Sequence, residues 1–291
     1  MTIDNDFAKS ELLDRICDLV DRVHLGGGNG TSLNHLRKPG VSRAGEGLEL
    51  WVKHFLAGTI GFADDSIIQT IWDEKFSFHG GINNPPDVML RNSIAAEVKK
   101  TEGNGGTLQL NSSWPIRTLH HDDLHITKKC RDAEAWTEKP FLLFVGQIDP
   151  TVKNISALWI IDGRCLSDNE EIYLSLLSKA RAAMLLLGSR GTKEIGQFAN
   201  LDTRMRTVLR VRPMFSLLHP ARIFNSIFIH QTTKQFALNV LLPESTYDSF
   251  TEEERRKLET AGKGAAINRL KIPDPTNTTS DVSAVHIFGS W

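Results

Sequence analysis

Residues 86–100 contain the most specific pattern in the chain and read Pro86-Asp87-Val88-Met89-Leu90-Arg91-Asn92-Ser93-Ile94-Ala95-Ala96-Glu97-Val98-Lys99-Lys100. Two short strand-like runs, 87–90 and 94–99, flank a turn at 91–93. A hairpin of these two runs would bring Asp87 alongside the second strand. Glu97 and Lys99 are two residues apart, so their side chains project from the same face of that strand. The pattern therefore predicts two carboxylates and one ammonium group together at a strand edge.

Two carboxylates and a lysine in this arrangement suit metal-assisted hydrolysis of a phosphodiester. Mg²⁺ binds carboxylate oxygens, keeps several waters, polarises a phosphate and lowers the pKa of bound water. A nearby lysine can orient or deprotonate the attacking water and balance the charge of the transition state. We therefore predict a Mg²⁺-dependent nuclease centre with Asp87, Glu97 and Lys99 as catalytic residues. Taken singly, Asp87 could be a turn residue after two prolines, and Lys99 could belong to an exposed strand end.

The same residues resemble the PD-(D/E)xK pattern of the nuclease superfamily that includes many type II restriction endonucleases. The resemblance rests on the Pro86-Asp87 pair, the apolar residues 88–90 and the AAEVKK run at 95–100. It implies an α/β fold with a restriction-endonuclease-like core, in which helices flank a central mixed sheet that carries insertions. It also implies that the metal is held at Asp87, Glu97 and Val98.

Members of this superfamily often carry a further acidic residue on a helix upstream of the motif, directed at the metal site. The run Gly45-Glu46-Gly47-Leu48-Glu49 opens a predicted helix in that position. Glu46 is the preferred candidate for this catalytic role, and Glu49 is the alternative. Either carboxylate could equally be present because the helix macrodipole favours negative charge near a helix N-terminus.

Four further segments are similar to the NgoPII-like group of restriction enzymes. They are Asn83-Asn84-Pro85-Pro86-Asp87, the residues 108–115 (LQLNSSWP), the residues 192–196 (TKEIG) and the residues 209–214 (LRVRPM). This resemblance covers residues from about 45 to 225 and leaves out the N-terminal helix and the tail beyond 250. It implies a homodimeric endonuclease that uses Mg²⁺ and cuts both strands of double-stranded DNA at a short, GC-rich palindrome. It also implies a companion DNA methyltransferase that protects the host.

Residues 203–212 (TRMRTVLRVR) place arginines at even positions and apolar residues at several odd ones. As a strand, the segment would present one basic face to a partner and one apolar face to the core. The arginines concerned are Arg204, Arg206, Arg210 and Arg212. Guanidinium groups bind phosphates and pair with guanine O6 and N7. We predict that this face binds DNA and that Arg210 or Arg212 reads guanine, the alternative being a salt-bridge ladder against an acidic element.

Two other polar segments are candidates for contacts with DNA. Asn111, Ser112 and Ser113 follow the predicted catalytic strand and offer short donors for bases or phosphates, although a polar turn before Pro115 is equally compatible. The glycine-rich residues 25–47 form a predicted loop with three basic residues. This loop either wraps DNA or is a disordered surface loop.

The composition agrees with a folded protein that meets DNA through a local patch. The chain has 291 residues, 40% of them hydrophobic, and 34 lysines and arginines balance 35 acidic residues to a net charge of −1. No apolar run approaches the roughly 20 residues that span a bilayer, and no signal peptide is visible. Three isolated cysteines suggest a reducing compartment. We expect a cytoplasmic protein without a membrane partner.

The hydrophobic spacing predicts one mixed α/β domain over residues 1–291. We expect a catalytic core at about 45–165 and a DNA-reading and C-terminal part at about 166–291. The predicted helices are at 8–24, from about 45 to 56, at 169–187 and from 251 onward. The predicted strands are at 67–78, 87–92, 93–100, 107–112, 141–148, 157–162, 203–212, 225–231 and 235–242, followed by an extended tail after Pro273.

Two other functions remain open from the sequence. One is a repair, recombination or junction-resolving nuclease on the same fold, which would cleave branched DNA but not a plain duplex. The other is a DNA-binding protein with an inactive nuclease centre, which would bind tightly without cleaving in any divalent metal. A dinucleotide-dependent or acyl-transfer enzyme is disfavoured because neither a dinucleotide fingerprint nor a nucleophile elbow is present.

Overall fold

The structure is a computed structural model, and it describes most of the chain. The described residues are 3–26, 31–33, 44–81, 84–103, 106–111, 113–149, 151–192, 194–228, 235–260 and 264–291, with the backbone alone at 3–5, 26, 44–46 and 111. The helices are α1 (Ile3–Ala8), α2 (Leu12–Gly26), α3 (Ala44–Ala57), α4 (Asp65–Lys75), α5 (Lys128–Arg131), α6 (Glu170–Leu186), α7 (Pro220–Ile223), α8 (Glu244–Ser249) and α9 (Glu252–Thr260). The strands are β1 (Phe76–Phe78), β2 (Val88–Leu90), β3 (Ala95–Thr101), β4 (Thr107–Asn111), β5 (Thr118–His120), β6 (Glu138–Ile148), β7 (Ile155–Asp162), β8 (Gly196–Ala199), β9 (Val208–Val211), β10 (Phe215–Leu218), β11 (Ala237–Pro243), β12 (Ala265–Pro273) and β13 (Asp281–Ser290).

A large mixed sheet organises the described residues. Its strands run in the order β1-β2-β3-β6-β7-β11-β13-β12, and β5 adds a further pairing to β6. The pairs β3–β6 and β7–β11 are parallel, whereas the other pairs along this path are antiparallel. The predicted fold class, an α/β restriction-endonuclease-like core with a central mixed sheet flanked by helices, is confirmed.

The centre of the sheet is buried on both faces. Along β6, Leu142 and Phe144 pack into one core, while Leu143 and Val145 pack into another. The first core also contains apolar residues of α1, α2, α3, α4, α8 and α9, so these helices cover that face. This two-sided burial explains why β6 and β7 read as nearly continuous apolar runs.

Several predicted elements are confirmed, with shifted ends. The helix at 8–24 is two helices, α1 and α2, separated at Glu11, whose φ is 54°. The helices near 45–56 and 169–187 correspond to α3 and α6, and the charged helix after 251 to α9. The extended tail is confirmed as β13, which pairs with both β11 and β12. Most of the predicted loop 25–47 lies outside the described residues.

Three predicted strands are wrong in whole or in part. Residues 67–75 are helical because Asp64 caps α4 by accepting hydrogen bonds from the Ser66 and Ile67 N–H groups. Ile68 and Trp72, four residues apart, face the core from this helix. The described residues 225–228 form a turn rather than a strand. Of the predicted strand 203–212, only Val208–Val211 (β9) is extended, so the four arginines of this segment do not share one strand.

Candidate active site

The predicted hairpin forms and carries the motif residues. Leu90 N–H donates to the Ile94 carbonyl over 2.9 Å, and Asn92 sits in the turn with a φ of 52°. Strand β2 pairs with β3 only at Ala95 and Ala96. Beyond that point the backbone of β2 no longer pairs with β3. Val98 N–H of β3 instead donates a hydrogen bond of 2.7 Å to Asp87 Oδ2. Asp87 is therefore fixed against β3 by backbone geometry.

Glu97 and Lys99 lie side by side on β3, as the spacing predicts. Lys99 Nζ donates to Glu97 Oε1 over 2.5 Å, and the two side chains are only 17% and 13% exposed. The second oxygen of this carboxylate, Glu97 Oε2, is buried and has no hydrogen-bond partner among the described residues. A buried carboxylate oxygen without a donor is costly. It therefore marks a position at which a positive ligand would be stabilised.

The electrostatics of the three groups are strongly perturbed. Burial, reinforced by the negative charges of Glu97 and Glu49, raises the pKa of Asp87 well above its ordinary value. Burial by itself lowers the pKa of Lys99, but the adjacent carboxylates, led by Glu97, outweigh it and leave that pKa raised. At neutral pH the site therefore holds an ammonium on Lys99 and an excess of acidic groups around Asp87.

Helix α3 brings a further carboxylate towards the hairpin. Glu49 acts electrostatically on both Asp87 and Lys99, and its Oε1 accepts a hydrogen bond of 2.7 Å from Lys53. The helix packs closely on the sheet because Gly146 leaves room for Leu48: a Cβ at position 146 would lie 2.7 Å from the leucine side chain. Glu46 belongs to α3 as predicted, but its side chain lies outside the described atoms.

The residues present fit a hard divalent cation. Asp87 and Glu97 offer carboxylate oxygens, and Glu97 Oε2 is unpartnered among the described atoms. No set of three His, Cys, Asp or Glu side chains arranged to cage a metal occurs in the described part of the chain. Mg²⁺ needs no such cage, because it typically binds one or two carboxylates and completes its octahedron with waters and substrate phosphate. Val98 could add only its peptide oxygen.

The four arginines do not form the single face that the alternation predicted. Arg204 and Arg206 lie in a turn before β9, and their backbone N–H groups donate to the Asp202 carboxylate. The supposed apolar face is also exposed rather than packed, since Leu209 is 51% accessible. The turn at Asp202 interrupts the period-two pattern, and so only four residues, Val208–Val211, are extended.

The side chains of Arg210 and Arg212 nevertheless converge, because both donate hydrogen bonds to the Glu194 carboxylate. Arg212 Nε donates to Glu194 Oε1 over 2.6 Å, and Arg210 Nε donates to Oε2 over 3.1 Å. The two arginine side chains remain 57% and 59% exposed. These hydrogen bonds lower the pKa of Glu194, so its carboxylate stays charged. The result is a pair of exposed guanidinium groups that one carboxylate holds in a defined orientation.

Comparison with known proteins gives a consistent result. The sequence profile of the family described as NgoPII restriction endonuclease matches residues 13–273. The chain is also 32% identical over 269 residues to the type II restriction enzyme NgoPII of Neisseria gonorrhoeae, covering 91% of this chain and 94% of that enzyme.

The chain belongs to the NgoPII restriction endonuclease family. Its enzymatic class is therefore that of a site-specific deoxyribonuclease, as the sequence predicts. The family match begins in α2 and ends at the last residue of β12, so it corrects the prediction that the N-terminal helix and the tail beyond 250 lie outside the resemblance. No solved structure matches this chain. None of the described helices combines the length and apolar character needed to cross a membrane.

In this member of the NgoPII family, the structure describes residues 111–113 only in part. Asn111 ends β4 and pairs with Phe215 of β10, while its side chain and the whole of Ser112 lie outside the description. Ser113 is buried, and its hydroxyl donates to the Trp114 carbonyl over 3.0 Å. Because β10 begins three residues after Arg212, the β4–β10 pair connects the arginine segment to the strand that follows β3.

The structure indicates roles for two acidic residues that the sequence alone leaves without a role or names only as an alternative. Glu194 lies within the range that the family profile matches, but no local pattern in the sequence points to a role for it. Glu49 was only the alternative to Glu46. For Glu194 the deciding signal is the hydrogen bond from Arg210, 16 residues away, and for Glu49 it is the electrostatic effect of its charge on Asp87 and Lys99.

Proposed function

We propose that this chain is a Mg²⁺-dependent type II restriction endonuclease that hydrolyses a phosphodiester in each strand of a short, GC-rich palindrome. The observation that carries the proposal is the joint placement of Asp87, Glu97 and Lys99 on one hairpin, where Glu97 Oε2 is buried and has no hydrogen-bond partner among the described residues. This is the geometry that phosphodiester hydrolysis needs at a strand edge. Membership of the NgoPII family supports the same chemistry.

The three residues have separate tasks in the proposed reaction. A water oxygen attacks phosphorus while the bond from phosphorus to the leaving oxygen breaks; the attacking water loses one proton to the surrounding solvent, and the leaving oxygen takes up one proton from it. Lys99, kept as an ammonium by Glu97, donates hydrogen bonds that orient the water and offset the negative charge that develops on the phosphate. Asp87 and Glu97, together with the peptide oxygen of Val98, are the groups that would hold Mg²⁺. When bound there, the ion supplies Lewis acidity and a more acidic water.

A third acidic residue, on α3, completes the proposed centre. Glu46 is the catalytic candidate from the resemblance, whereas Glu49 is the one whose charge acts on Asp87 and Lys99. Either carboxylate would add an oxygen acceptor to the residues that would hold Mg²⁺. A comparison of Glu46→Gln with Glu49→Gln separates them, because only the functional residue should change the Mg²⁺ concentration required for half-maximal cleavage.

At least one of Arg210 and Arg212 is proposed to read guanine, and Arg204 and Arg206 are proposed to bind phosphates. The support is the pair of exposed guanidinium groups on Glu194, since an oriented guanidinium forms the bidentate contact to O6 and N7. The double variant Arg210→Ala/Arg212→Ala should cleave less selectively, whereas Arg204→Ala/Arg206→Ala should reduce the slope of log affinity against log salt by about 0.9 for each lost phosphate contact. The variant Arg256→Ala, on exposed α9, is the control. An unchanged slope and an unchanged site preference would contradict the assignment.

The remaining parts of the proposal concern the setting of the enzyme. The chain acts as a single endonuclease domain and as a homodimer, so that each copy cleaves one strand of a two-fold symmetric site. Asn111, Ser112 and Ser113 follow the proposed catalytic strand in the sequence and are proposed to contact DNA. The enzyme works in the cytoplasm beside a companion methyltransferase that modifies the same sequence.

The decisive test is digestion of a long, unmethylated duplex with the purified protein in Mg²⁺, followed by sequencing of the fragment ends. Wild-type protein should give discrete fragments that share one short sequence, and Asp87→Ala should give none. A smear abolished by Asp87→Ala would keep the nuclease centre and remove the sequence specificity. Absence of cleavage in both Mg²⁺ and Mn²⁺ would refute the proposal.

A further inference from the structure

Lys139, the second residue of β6, is buried although its side chain carries a charge. The side chain is only 2% exposed, and its Nζ lies 2.5 Å from Oε1 of Glu134, whose side chain is 6% exposed. Lys139 Nζ also donates to the Leu90 carbonyl over 3.0 Å and to the Ser93 carbonyl over 2.9 Å. The ammonium thus has three oxygen partners, as many as it has N–H groups. The proposed reaction gives this ion pair no task, although two of its partners belong to the hairpin of β2 and β3.

The ion pair holds both sides of the turn that joins β2 to β3. Leu90 is the last residue of β2, and Ser93 lies two residues before β3. Glu134 adds a contact between these two positions, because its Oε2 accepts a hydrogen bond of 2.9 Å from the Asn92 N–H. Asn92 has a φ of 52°, which few residues other than glycine adopt. One ion pair therefore binds the carbonyls that flank the turn and the N–H group within it.

The apolar residues of this hairpin do not select its register. All three residues of β2 are apolar and buried, and so are residues 94–96 on the other side of the turn. Val88 and Leu90 pack in one core and Met89 in another, so both faces of β2 are covered. A slip of one residue would turn every side chain of β2 to the opposite face. Because both faces are apolar, the register needs a polar contact that is satisfied in one alignment only.

The register decides whether Asp87 reaches β3. Asp87 lies three residues before Leu90, and the two strands pair at only two positions between Asp87 and the turn. In the observed alignment the Asp87 N–H donates to the Ala96 carbonyl over 2.9 Å, and Asp87 Oδ2 accepts the Val98 N–H. A slip of one residue would turn the Asp87 side chain to the opposite face and break the bond to Val98. The contacts at the turn therefore act on the carboxylate at the far end of β2.

We propose that Lys139 and Glu134 are positioning residues of the nuclease centre: their buried ion pair fixes the turn, and the turn fixes the register that holds Asp87 against β3. The inference rests on the proposed function and goes beyond it, because both residues act through the backbone of the hairpin rather than on the reacting groups. A buried ion pair contributes little stability compared with apolar residues of the same size, and its best-attested use is to fix one alignment.

The first test is amide hydrogen exchange in the metal-free protein, because it reports the bond between Asp87 and Val98 without any cleavage. Lys139→Met keeps most of the side-chain length and removes the charge. It should speed exchange of the Val98 amide by about tenfold or more, because the alignment that protects this amide is no longer held.

Asn239→Leu is the matched control, because it also removes a buried polar contact. Asn239 Oδ1 of β11 lies 3.0 Å from His286 Nε2 of β13, and β11 is three strand pairings away from β3. This variant should leave exchange of the Val98 amide unchanged. Circular dichroism checks that each variant is folded.

The second test separates positioning from folding by kinetics. Lys139→Met should lower the cleavage rate at saturating duplex by about 10²-fold and raise the Mg²⁺ concentration required for half-maximal cleavage. Its dissociation constant for the duplex in EDTA should stay within about twofold of wild type. A general loss of folded protein would instead reduce binding and cleavage together. Glu134→Gln keeps an oxygen for the Asn92 N–H and loses only the charge, so its effects should lie between those of wild type and Lys139→Met.

The outcomes distinguish this inference from the proposed function. Val98 exchange that is unchanged in Glu134→Gln and in folded Lys139→Met overturns the positioning role, as does a loss of cleavage no larger than in Asn239→Leu. If Lys139→Met does not fold, Glu134→Gln alone decides. A wild-type protein that cleaves one sequence, with variants that behave like it, overturns the positioning role and leaves the nuclease assignment intact. Faster Val98 exchange in the variants of a protein that never cleaves DNA supports the positioning of Asp87 and refutes the nuclease assignment.

Discussion

Replacing Asp87 by asparagine should make the metal-free protein more stable while abolishing cleavage. Asparagine keeps the oxygen that accepts the Val98 N–H and removes the negative charge. Burial and the charges of Glu97 and Glu49 raise the pKa of Asp87, so the carboxylate opposes folding once it is ionised. Sites that hold excess charge for a ligand commonly reduce stability in this way.

The size of the effect follows from electrostatics. Carboxylates that shift one another's pKa lie within about 4–6 Å, which corresponds to a repulsion of roughly 3–4 kcal/mol at an effective dielectric constant near 20. Lys99 offsets part of this repulsion because it attracts both carboxylates. We therefore expect Asp87→Asn to add about 1–2 kcal/mol at pH 8. For a chain of this size that gain raises Tm by about 2–8 °C.

The gain should depend on pH with a definite sign. Above the unfolded-state pKa of about 3.9 the unfolded chain has lost the proton, whereas native Asp87 still holds it. Wild-type stability therefore falls as pH rises, by at most about 1.4 kcal/mol per unit, until the raised native pKa is passed. The asparagine variant lacks this contribution. The difference between the two proteins should grow with pH and then become constant.

Urea unfolding in EDTA across this pH range measures the difference directly. Asp281→Asn, which changes an exposed residue at the start of β13, should show no such trend. Added Mg²⁺ should stabilise the wild-type protein and not Asp87→Asn, because a ligand stabilises only the state that binds it. A variant that is less stable than wild type at pH 8, or a difference that does not grow with pH, would refute the reasoning.

Three further predictions test the neighbouring groups. Lys99→Met should reduce the cleavage rate by about 10²–10³-fold with duplex affinity retained. Lys100→Met should cleave normally, because the Lys100 ammonium donates to Glu102 over 3.1 Å instead. Equal losses of cleavage in the two variants would argue against a specific role for Lys99. Glu194→Gln should reduce the preference for the cognate site over a site with one changed base by about tenfold, a difference of about 1.4 kcal/mol. The control variant Glu253→Gln, at an exposed position, should keep the full preference. If Glu194→Gln digests both substrates with unaltered discrimination, Glu194 does not orient the arginines. Gly80→Ala should destabilise the protein by about 1–3 kcal/mol and impair cleavage, because Gly80 has a φ of +86° and a Cβ there would lie 2.3 Å from the Asp87 carbonyl. Gly81→Ala is the control, since a Cβ at position 81 has open space around it. Equal melting temperatures for the two alanine variants would show that the contact with Asp87 is unimportant.

Local patterns in the sequence were sufficient for the catalytic hairpin. The turn at Asn92, the pairing of 87–90 with 94–99 and the shared face of Glu97 and Lys99 all depend on residues within fifteen positions of one another. Strand geometry places residues two apart on one face, so these side chains could be positioned before the fold was known. The same holds for β6 and β7, whose apolar runs predict burial on both faces.

Patterns failed where a local hydrogen bond competed with the hydrophobic period. Residues 67–75 read as a strand from their apolar content, but the Asp64 cap and the i to i+4 pair Ile68 and Trp72 favour a helix. Residues 203–207 read as part of a strand from alternation, but the Asp202 carboxylate binds the backbone of the following turn. Short alternating runs specify a strand only weakly.

The sequence by itself therefore determined where the candidate catalytic residues lie: two carboxylates and a lysine on one hairpin, within an α/β fold of the restriction-endonuclease type. Only the tertiary structure decided which charges meet. It brought Glu49 of α3 to act on Asp87, joined Arg210 and Arg212 through Glu194, and paired the buried Lys139 with Glu134. The physical reason is that periodicity specifies which face a side chain occupies, whereas the identity of the opposing surface depends on long-range packing that no local pattern contains.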